Sequence, residues 1–456
     1  MAGELCPIVG GDFRDAVLGD TVGGVSQPRH DTRLDPFVEH YSQRTHNLKV
    51  SAVRALFAVA NRPEIVSLAG GMPNITDLPL DELGDDMAAL IRSRGTQIMQ
   101  YGSGQGEPGI REQICEVMAE EGSLAHADDI VITAGSQQGL DLVTRIFCDP
   151  GDVVLAESPS YVGALGTFHS YETSVEHVQC DAEGVVPEAL RERIERLRAD
   201  GKRPKFLYTI PNFNNPSGVT QPVERRRQVL EVCRAAGVLV VEDNPYGLLC
   251  LDQDPLPAMR SMDDDVIYLG SFSKTFAPGF RVGWVCAPHA VKEKLVLAQE
   301  SATLCPPVFS QFAISNYLAN NDWRHQIEVY RDMYRDRRDT MLAALEREMP
   351  EGCSWTRPGG GFFVWVTLPE GVNSAAMLPR GVNARVAFVP GSAFFADGQG
   401  ARNVRLSFCF PPSERIAVGV ERFAGVVRGE LELLQTFGIS TPPHAERSGG
   451  PEPNVV

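Results

Sequence analysis

Cysteine pairs, an excess of basic charge and long apolar runs are all missing from this chain, and each absence excludes something. The ten cysteines stand singly, with no CxxC pair: Cys6, Cys115, Cys148, Cys180, Cys233, Cys250, Cys286, Cys305, Cys353 and Cys409. That usage fits neither a disulfide framework nor a zinc site, and it suits a reducing compartment. The nine histidines show no HxH or HxxxH spacing, so no metal is expected. Acidic residues outnumber basic ones by 59 to 42, a net charge of −17. Such a balance argues against a nucleic-acid backbone or an anionic membrane as the partner. No apolar run approaches the ~20 residues that span a bilayer. The start, MAGELCPIVGGDFRDAVLGD, has neither a basic opening nor an apolar core, so no secretory signal is evident and a cytoplasmic location is expected.

What is present is an ordinary globular composition, 43% hydrophobic and 22% charged, over 456 residues, enough for more than one domain. Residues 1–45 are mixed and turn-rich and are expected to form a poorly ordered tail, with 438–456 a second one, rich in Pro and Gly. Between them, short β-branched runs alternate with helical spacing. DIVITA, DVVLAE, KFLYTI, VLVVED, VIYLGS and VGWVCA read as strands buried on both faces. The layout is α/β, a mostly parallel sheet sandwiched by helices, over residues 81–300. After residue 300, one long amphipathic helix and short strands in GGFFVWVTL, RVAFVPG and NVRLSFCF suggest a smaller α+β C-terminal domain, 301–437. Residues 46–80 are taken as an arm linking the small domain to the site.

Four stretches follow predicted strands, where open α/β sheets hold ligands. TAGSQQGL places Ser136 and Gln137 at the start of a helix, a seat for phosphate or simply an N-cap. PNFNNPSG is a tight turn by default, and Asn215 in it offers an amide to a bound oxygen. VEDNPYG ends a core strand with Asp243, whose desolvated carboxylate needs a cationic partner such as a protonated ring nitrogen; Tyr246 adds a phenolic hydroxyl. SFSKTFAPGFRVGW surrounds Lys274 with Ser271, Ser273 and Arg281, groups that suit phosphate. Burial and nearby cations lower a lysine pKa and expose the lone pair that forms an imine; a structural lysine paired with a carboxylate is the bland alternative. Taken together, phosphate seat, amide donor, carboxylate and amine would hold an anionic aromatic aldehyde with a basic ring nitrogen, which is pyridoxal 5'-phosphate. GSGQGEPG imitates a dinucleotide fingerprint but follows no convincing strand.

These motifs, with SLAGGMPN, QYGSGQGEPGIRE, RPGGGFFVW and VAFVPGSAF, fall in one order from about residue 46 to 435. In that order the chain resembles the fold-type I pyridoxal-phosphate enzymes of aminotransferase class I/II, within them the 2-aminoadipate/kynurenine aminotransferase branch. The resemblance implies that Lys274 forms the internal aldimine and shuttles the proton, and that Asp243 keeps the pyridinium nitrogen protonated. It also implies that Asn215 and Tyr246 bind the ring's phenolic oxygen, and that Ser136, Gln137, Ser271, Ser273 and Arg281 surround the phosphate. By the same likeness Tyr161 stacks on the ring, Arg405 grips the substrate α-carboxylate and Gly71 lines the substrate site. Tyr101 then reaches the phosphate of a neighbouring subunit, so a homodimer is expected. Arg54 matches a position that in this branch can face the substrate's distal group; an ordinary surface or packing arginine is the alternative.

The expected activity is ping-pong transfer of an amino group from an aromatic, aliphatic or 2-aminoadipate-like L-amino acid to a 2-oxo acid such as 2-oxoglutarate. Other chemistry on the same cofactor, such as elimination, cyclisation, decarboxylation or oxidation, is the alternative. A regulator with an aminotransferase-like sensor is a third, disfavoured because the 45 or so residues ahead of the resemblance carry no recognition helix.

Overall fold

The computed structural model of the chain describes residues 35, 37–46 and 62–436. The tails expected at 1–45 and 438–456 fall mostly outside these residues, as does Arg54. In chain order the strands are β1 (Val66–Ser67), β2 (Ile130–Thr133), β3 (Val153–Ser158), β4 (Ser174–Asp181), β5 (Gly184–Val185), β6 (Pro204–Thr209) and β7 (Leu239–Asp243). They continue with β8 (Ile267–Ser271), β9 (Gly283–Cys286), β10 (Ser354–Trp355), β11 (Phe363–Thr367), β12 (Val386–Ala387), β13 (Val389–Pro390) and β14 (Asn403–Ser407).

Eight of them form one sheet in the order β2-β9-β8-β7-β6-β3-β4-β5. The pairs β3–β4, β3–β6, β6–β7 and β7–β8 are parallel. β9 is antiparallel to both β2 and β8, so those two point the same way. The C-terminal ends of β2, β6, β7 and β8 therefore meet along one edge of the sheet, and each of the four stretches expected to carry chemistry begins there.

The apolar strand runs make sense once both faces are covered. Val153 and Leu155 pack with Leu190, Ile194 and Val229, from helices Pro187–Ala199 and Val223–Ala235. Val154, between them in sequence, packs on the other face with Leu140, Val143 and Phe168, from helices Ser136–Phe147 and Val162–Ser170. Alternation of side chains along a strand puts successive residues into opposite layers, so a buried sheet needs apolar residues at every position. β4 breaks this rule: its residues are half exposed, because it lies near the sheet edge.

The smaller part is an antiparallel sheet, β10-β11-β14-β13. Helices Trp323–Glu348 and Ser413–Thr436 contribute Tyr334, Met341, Phe423 and Val427 to the same core as Phe362 and Leu406. The first of these helices is capped by Asp322, whose side chain accepts from the His325 amide at 3.0 Å. A two-residue parallel ladder joins β1 to β12 and carries the segment before Gly71 across this unit. Among the described residues no helix is long and apolar enough to cross a membrane.

Gly283, in β9, faces Thr133 of β2 and Ser271 of β8. A Cβ at this position would lie 2.6 Å from the backbone carbonyl carbon of Gly135 and the amide nitrogen of Ser136. Backbone cannot swing aside as a side chain does. Gly283→Ala should therefore cost roughly 1–3 kcal/mol of unfolding free energy in urea denaturation; a variant as stable as the parent would contradict this close approach.

Candidate active site

Every described site residue expected from the sequence, except Tyr101, lines one cavity of about 630 Å³; Arg54 lies outside the described residues. The cavity opens above the edge where β2, β6, β7 and β8 end.

Three charged groups in it lack ordinary partners. Lys274 lies just beyond β8, and its Nζ donates to the carbonyl oxygen of Gly71 at 2.6 Å rather than to a carboxylate. Desolvation lowers its pKa to about 8, and the nearby Arg405 and Arg281 guanidinium groups push the same way. The carboxylate-paired alternative for this lysine does not describe the site. Asp243, the last residue of β7, is 4% exposed. Its Oδ2 accepts from the Tyr208 hydroxyl at 2.6 Å, while its Oδ1 is buried with no hydrogen-bond partner. Burial raises this carboxyl to a pKa of about 6, against the lowering effect of the Tyr208 bond.

Arg405, on β14, is the third. Its guanidinium donates to Asn215 Oδ1 at 2.8 Å and to the Ala69 carbonyl at 2.6 Å, and its Nε is buried without a partner. The Phe363 ring centre lies 4.2 Å from the guanidinium carbon and that of Phe394 lies 5.0 Å away, so the planar fork is held between two aromatic rings. Desolvation lowers its pKa to about 10, which still leaves it cationic at neutral pH. No ion pair to Arg405 is formed among the described residues. With Asn215 Oδ1 occupied by Arg405, the amide nitrogen of Asn215 is the end left to donate.

An anion seat lies at the end of β2. Helix Ser136–Phe147 begins with Ser136 at its first position, and the N-cap is Gly135 at φ +79. Ser136 is thus not the cap, which corrects the simpler reading of that serine. A Cβ on Gly135 would sit 2.3 Å from Arg281 Nη2, so the glycine admits the guanidinium beside the helix terminus. Arg281 Nη2 donates to the Ala134 carbonyl at 3.0 Å, and the Ser271 hydroxyl donates to that of Ser273 at 2.8 Å. Free amides at the helix start, two hydroxyls and a guanidinium form a set suited to a phosphate. Gln137 is tied to Thr167 Oγ1 at 2.7 Å, and the Tyr161 hydroxyl approaches Gln137 Oε1 at 3.5 Å. Tyr246 is buried edge-on to Phe362 and Phe363. At Gly71, a Cβ would come within 3.0 Å of the Phe363 ring. Tyr101 stands apart from the cavity and is 76% exposed.

Two further buried acids brace the loops without facing the cavity charges. Glu121 accepts from Asn244 Nδ2 at 2.7 Å, Asn212 Nδ2 at 3.3 Å and the Tyr268 hydroxyl at 3.1 Å, tying the loop after β6 to the loop after β7. Glu157 accepts from Thr209 Oγ1 at 2.7 Å, the Ile210 amide at 3.0 Å and Gln221 Nε2 at 3.0 Å, and also from Asn214. Sequence reasoning missed both, along with Tyr208, Phe363 and Phe394. Tyr208 was hidden because it reads as one more apolar residue of KFLYTI. A hydroxyl in a strand destined for two-sided burial was the available signal, since it must find a partner inside.

A buried carboxylate with one empty oxygen, an amine with a depressed pKa and a phosphate seat fit pyridoxal 5'-phosphate. Fold and cavity together define an enzyme that uses this cofactor. The sequence matches the Aminotransferase class I and II family over residues 74–423, and the chain belongs to that family. It is 38% identical to aromatic-amino-acid aminotransferase 1 of Thermococcus litoralis, over 87% of this chain and 96% of that protein. It is 36% identical to the 2-aminoadipate transaminase of Thermus thermophilus, over 87% of this chain and 98% of that protein. The crystal structure of Pyrococcus horikoshii kynurenine aminotransferase, in complex with PMP, superposes with a TM-score of 0.82 at 38% identity, covering 86% of this chain and 98% of that one. The protein is a pyridoxal-phosphate-dependent aminotransferase of fold type I.

The lysine pKa has a direct consequence. Free amine, not ammonium, reacts with aldehydes, and an ordinary lysine is half deprotonated only near pH ~10.4. Reductive methylation of the cofactor-free protein, followed at Lys274 by mass spectrometry across pH, should rise with a midpoint near pH 8, following its pKa of about 8. A midpoint at the ordinary lysine value would contradict the proposed desolvation.

Proposed function

We propose that this enzyme moves an amino group from an aromatic, aliphatic or 2-aminoadipate-like L-amino acid to a 2-oxo acid, with Lys274 as the catalytic amine and Arg405 as the carboxylate grip. The observation that carries the reading is Arg405: a buried guanidinium close to two aromatic rings, with no carboxylate of its own among the described residues. A buried cation without a counter-ion is costly, and a bound carboxylate supplies what is missing. Amino-acid donor and 2-oxo-acid acceptor share that carboxylate, so one arginine serves both halves of the reaction. Arg405 grips this group in place, which disfavours a reaction that releases it as carbon dioxide.

The cofactor, when bound, supplies an aldehyde that takes up the amino group and a ring that draws electron density from the substrate's Cα. The chain does the rest. Asp243 would accept a hydrogen bond from the protonated ring nitrogen, and Asn215 and Tyr246 would bind the ring's phenolic oxygen. The terminus at Ser136 and Gln137, with Ser271, Ser273 and Arg281, would hold the phosphate. Tyr161 would cover the ring face. Lys274 Nζ, with a pKa of about 8, would be the base that takes the proton from the substrate's Cα and holds it for return on the far side of the amino nitrogen. Gly71 leaves room for substrate, and its carbonyl steadies Lys274 Nζ.

Tyr101 enters this reading from a second copy of the chain, its exposed ring reaching the neighbour's phosphate in a homodimer. The reading also puts the enzyme in the cytoplasm, where the free thiols of the described cysteines stay reduced.

Adding L-amino acids to the holoenzyme without any oxo acid tests the reaction. The visible band of the lysine-bound cofactor should bleach with effective donors and return when 2-oxoglutarate is added. Release of carbon dioxide, ammonia or peroxide instead would contradict amino transfer. Arg405→Lys should raise KM for the donor by roughly 10- to 100-fold, the worth of a charge-assisted bidentate contact, and leave cofactor affinity within about twofold. Unchanged donor KM would remove Arg405 from this role.

A further inference from the structure

Tyr208 has no part in the proposed reaction, yet it makes the only hydrogen bond to the Asp243 carboxylate found among the described residues. Its ring is fully buried in β6 and meets Phe168 edge-on at 5.5 Å, with an interplanar angle of 77°, so the hydroxyl has a fixed direction. Tyr208 pairs in register with Val241, two residues before Asp243 on the same face of β7. From there its hydroxyl reaches Asp243 Oδ2 at 2.6 Å. Oδ1 is left as the buried, unpartnered oxygen of a residue that lines the cavity.

We infer that Tyr208 is a positioning residue for the cofactor's ring nitrogen, acting through Asp243. By donating to one oxygen it orients the carboxylate so that the other meets the ring nitrogen. By stabilising the anion it keeps the shared proton on the ring and not on the carboxyl. This rests on the reading that Asp243 pairs with that nitrogen.

The Asp243 carboxylate has few donors. A desolvated carboxylate tends to take up a proton, and donors to its oxygens oppose this. Glu121 and Glu157 each accept from three or more groups, whereas Asp243 accepts from Tyr208 alone. Burial drives the Tyr208 hydroxyl well above its ordinary pKa, so it stays protonated and remains a donor at any working pH. Losing it removes the one bond that holds the acid ionised, and a neutral acid has no charge to offer a pyridinium.

The test measures binding, not turnover. Cofactor-free protein is titrated with pyridoxal phosphate and with its 1-deaza analogue, in which C–H replaces the ring nitrogen. Wild type should prefer the natural cofactor, and Tyr208→Phe should reduce that preference about tenfold, the loss expected for a hydrogen bond to a charged group. Affinity for the deaza analogue should change little, which a merely structural role for the tyrosine would not produce. A preference in Tyr208→Phe within twofold of wild type would overturn the inference. If wild type itself shows no preference, the pairing of Asp243 with the nitrogen fails first. Should the Phe variant not fold, p-aminophenylalanine at position 208 keeps a weaker donor of similar reach. It should show a smaller loss of preference, and no loss would overturn the inference equally.

Discussion

The structure depends on charges that are buried before anything arrives to pair with them. Asp243 keeps one carboxylate oxygen empty, Arg405 lies between two phenylalanines with no anion, and Lys274 leans on a backbone carbonyl. Each arrangement is unfavourable in isolation, because taking a charge out of water costs several kcal/mol that only a good partner offsets. An enzyme that binds a zwitterionic amino acid and an anionic cofactor puts that cost to use. The partners are the ligands, and water-poor surroundings strengthen every contact they make.

Two other buried acids, by contrast, are well supplied with donors. Glu121 and Glu157 are as deeply buried as Asp243, yet each accepts from a hydroxyl and side-chain amides, and Glu157 from a backbone amide as well. Burial raises both to a pKa of about 7, so burial alone does not distinguish them from Asp243. The count of donors does. Bracing acids stitch together the loops that follow β6 and β7, and those loops present Asn215, Asp243 and Tyr246. Parallel strands supply the rest: four strand ends meet at one edge, so groups scattered over some 140 residues of sequence converge without long loops.

Much of this was legible in the sequence because it follows from local rules. Continuous apolar runs marked the central strands, and turn residues after them marked where ligands sit. The amphipathic period marked helix Trp323–Glu348. β4 escaped because it is a half-exposed strand near the edge with mixed polarity, and β1, β5 and β10 because two residues make no pattern. Ser136 looked like an N-cap, but a glycine at φ +79 takes that position so that Arg281 can approach. The aromatic clamp on Arg405 joins residues from β11 and the turn before β14, and nothing local predicts such a long-range meeting. Tyr208 was hidden for the opposite reason, since its neighbours in the strand are so apolar that its hydroxyl drew no notice.

The most direct test of this account is to reduce the holoenzyme with borohydride, digest it and locate the pyridoxyl group by mass spectrometry. The label should appear on the single peptide that contains Lys274. A label on another lysine, or a protein that takes up no cofactor to be reduced, would contradict the central claim that this half-buried amine is where the chemistry is attached.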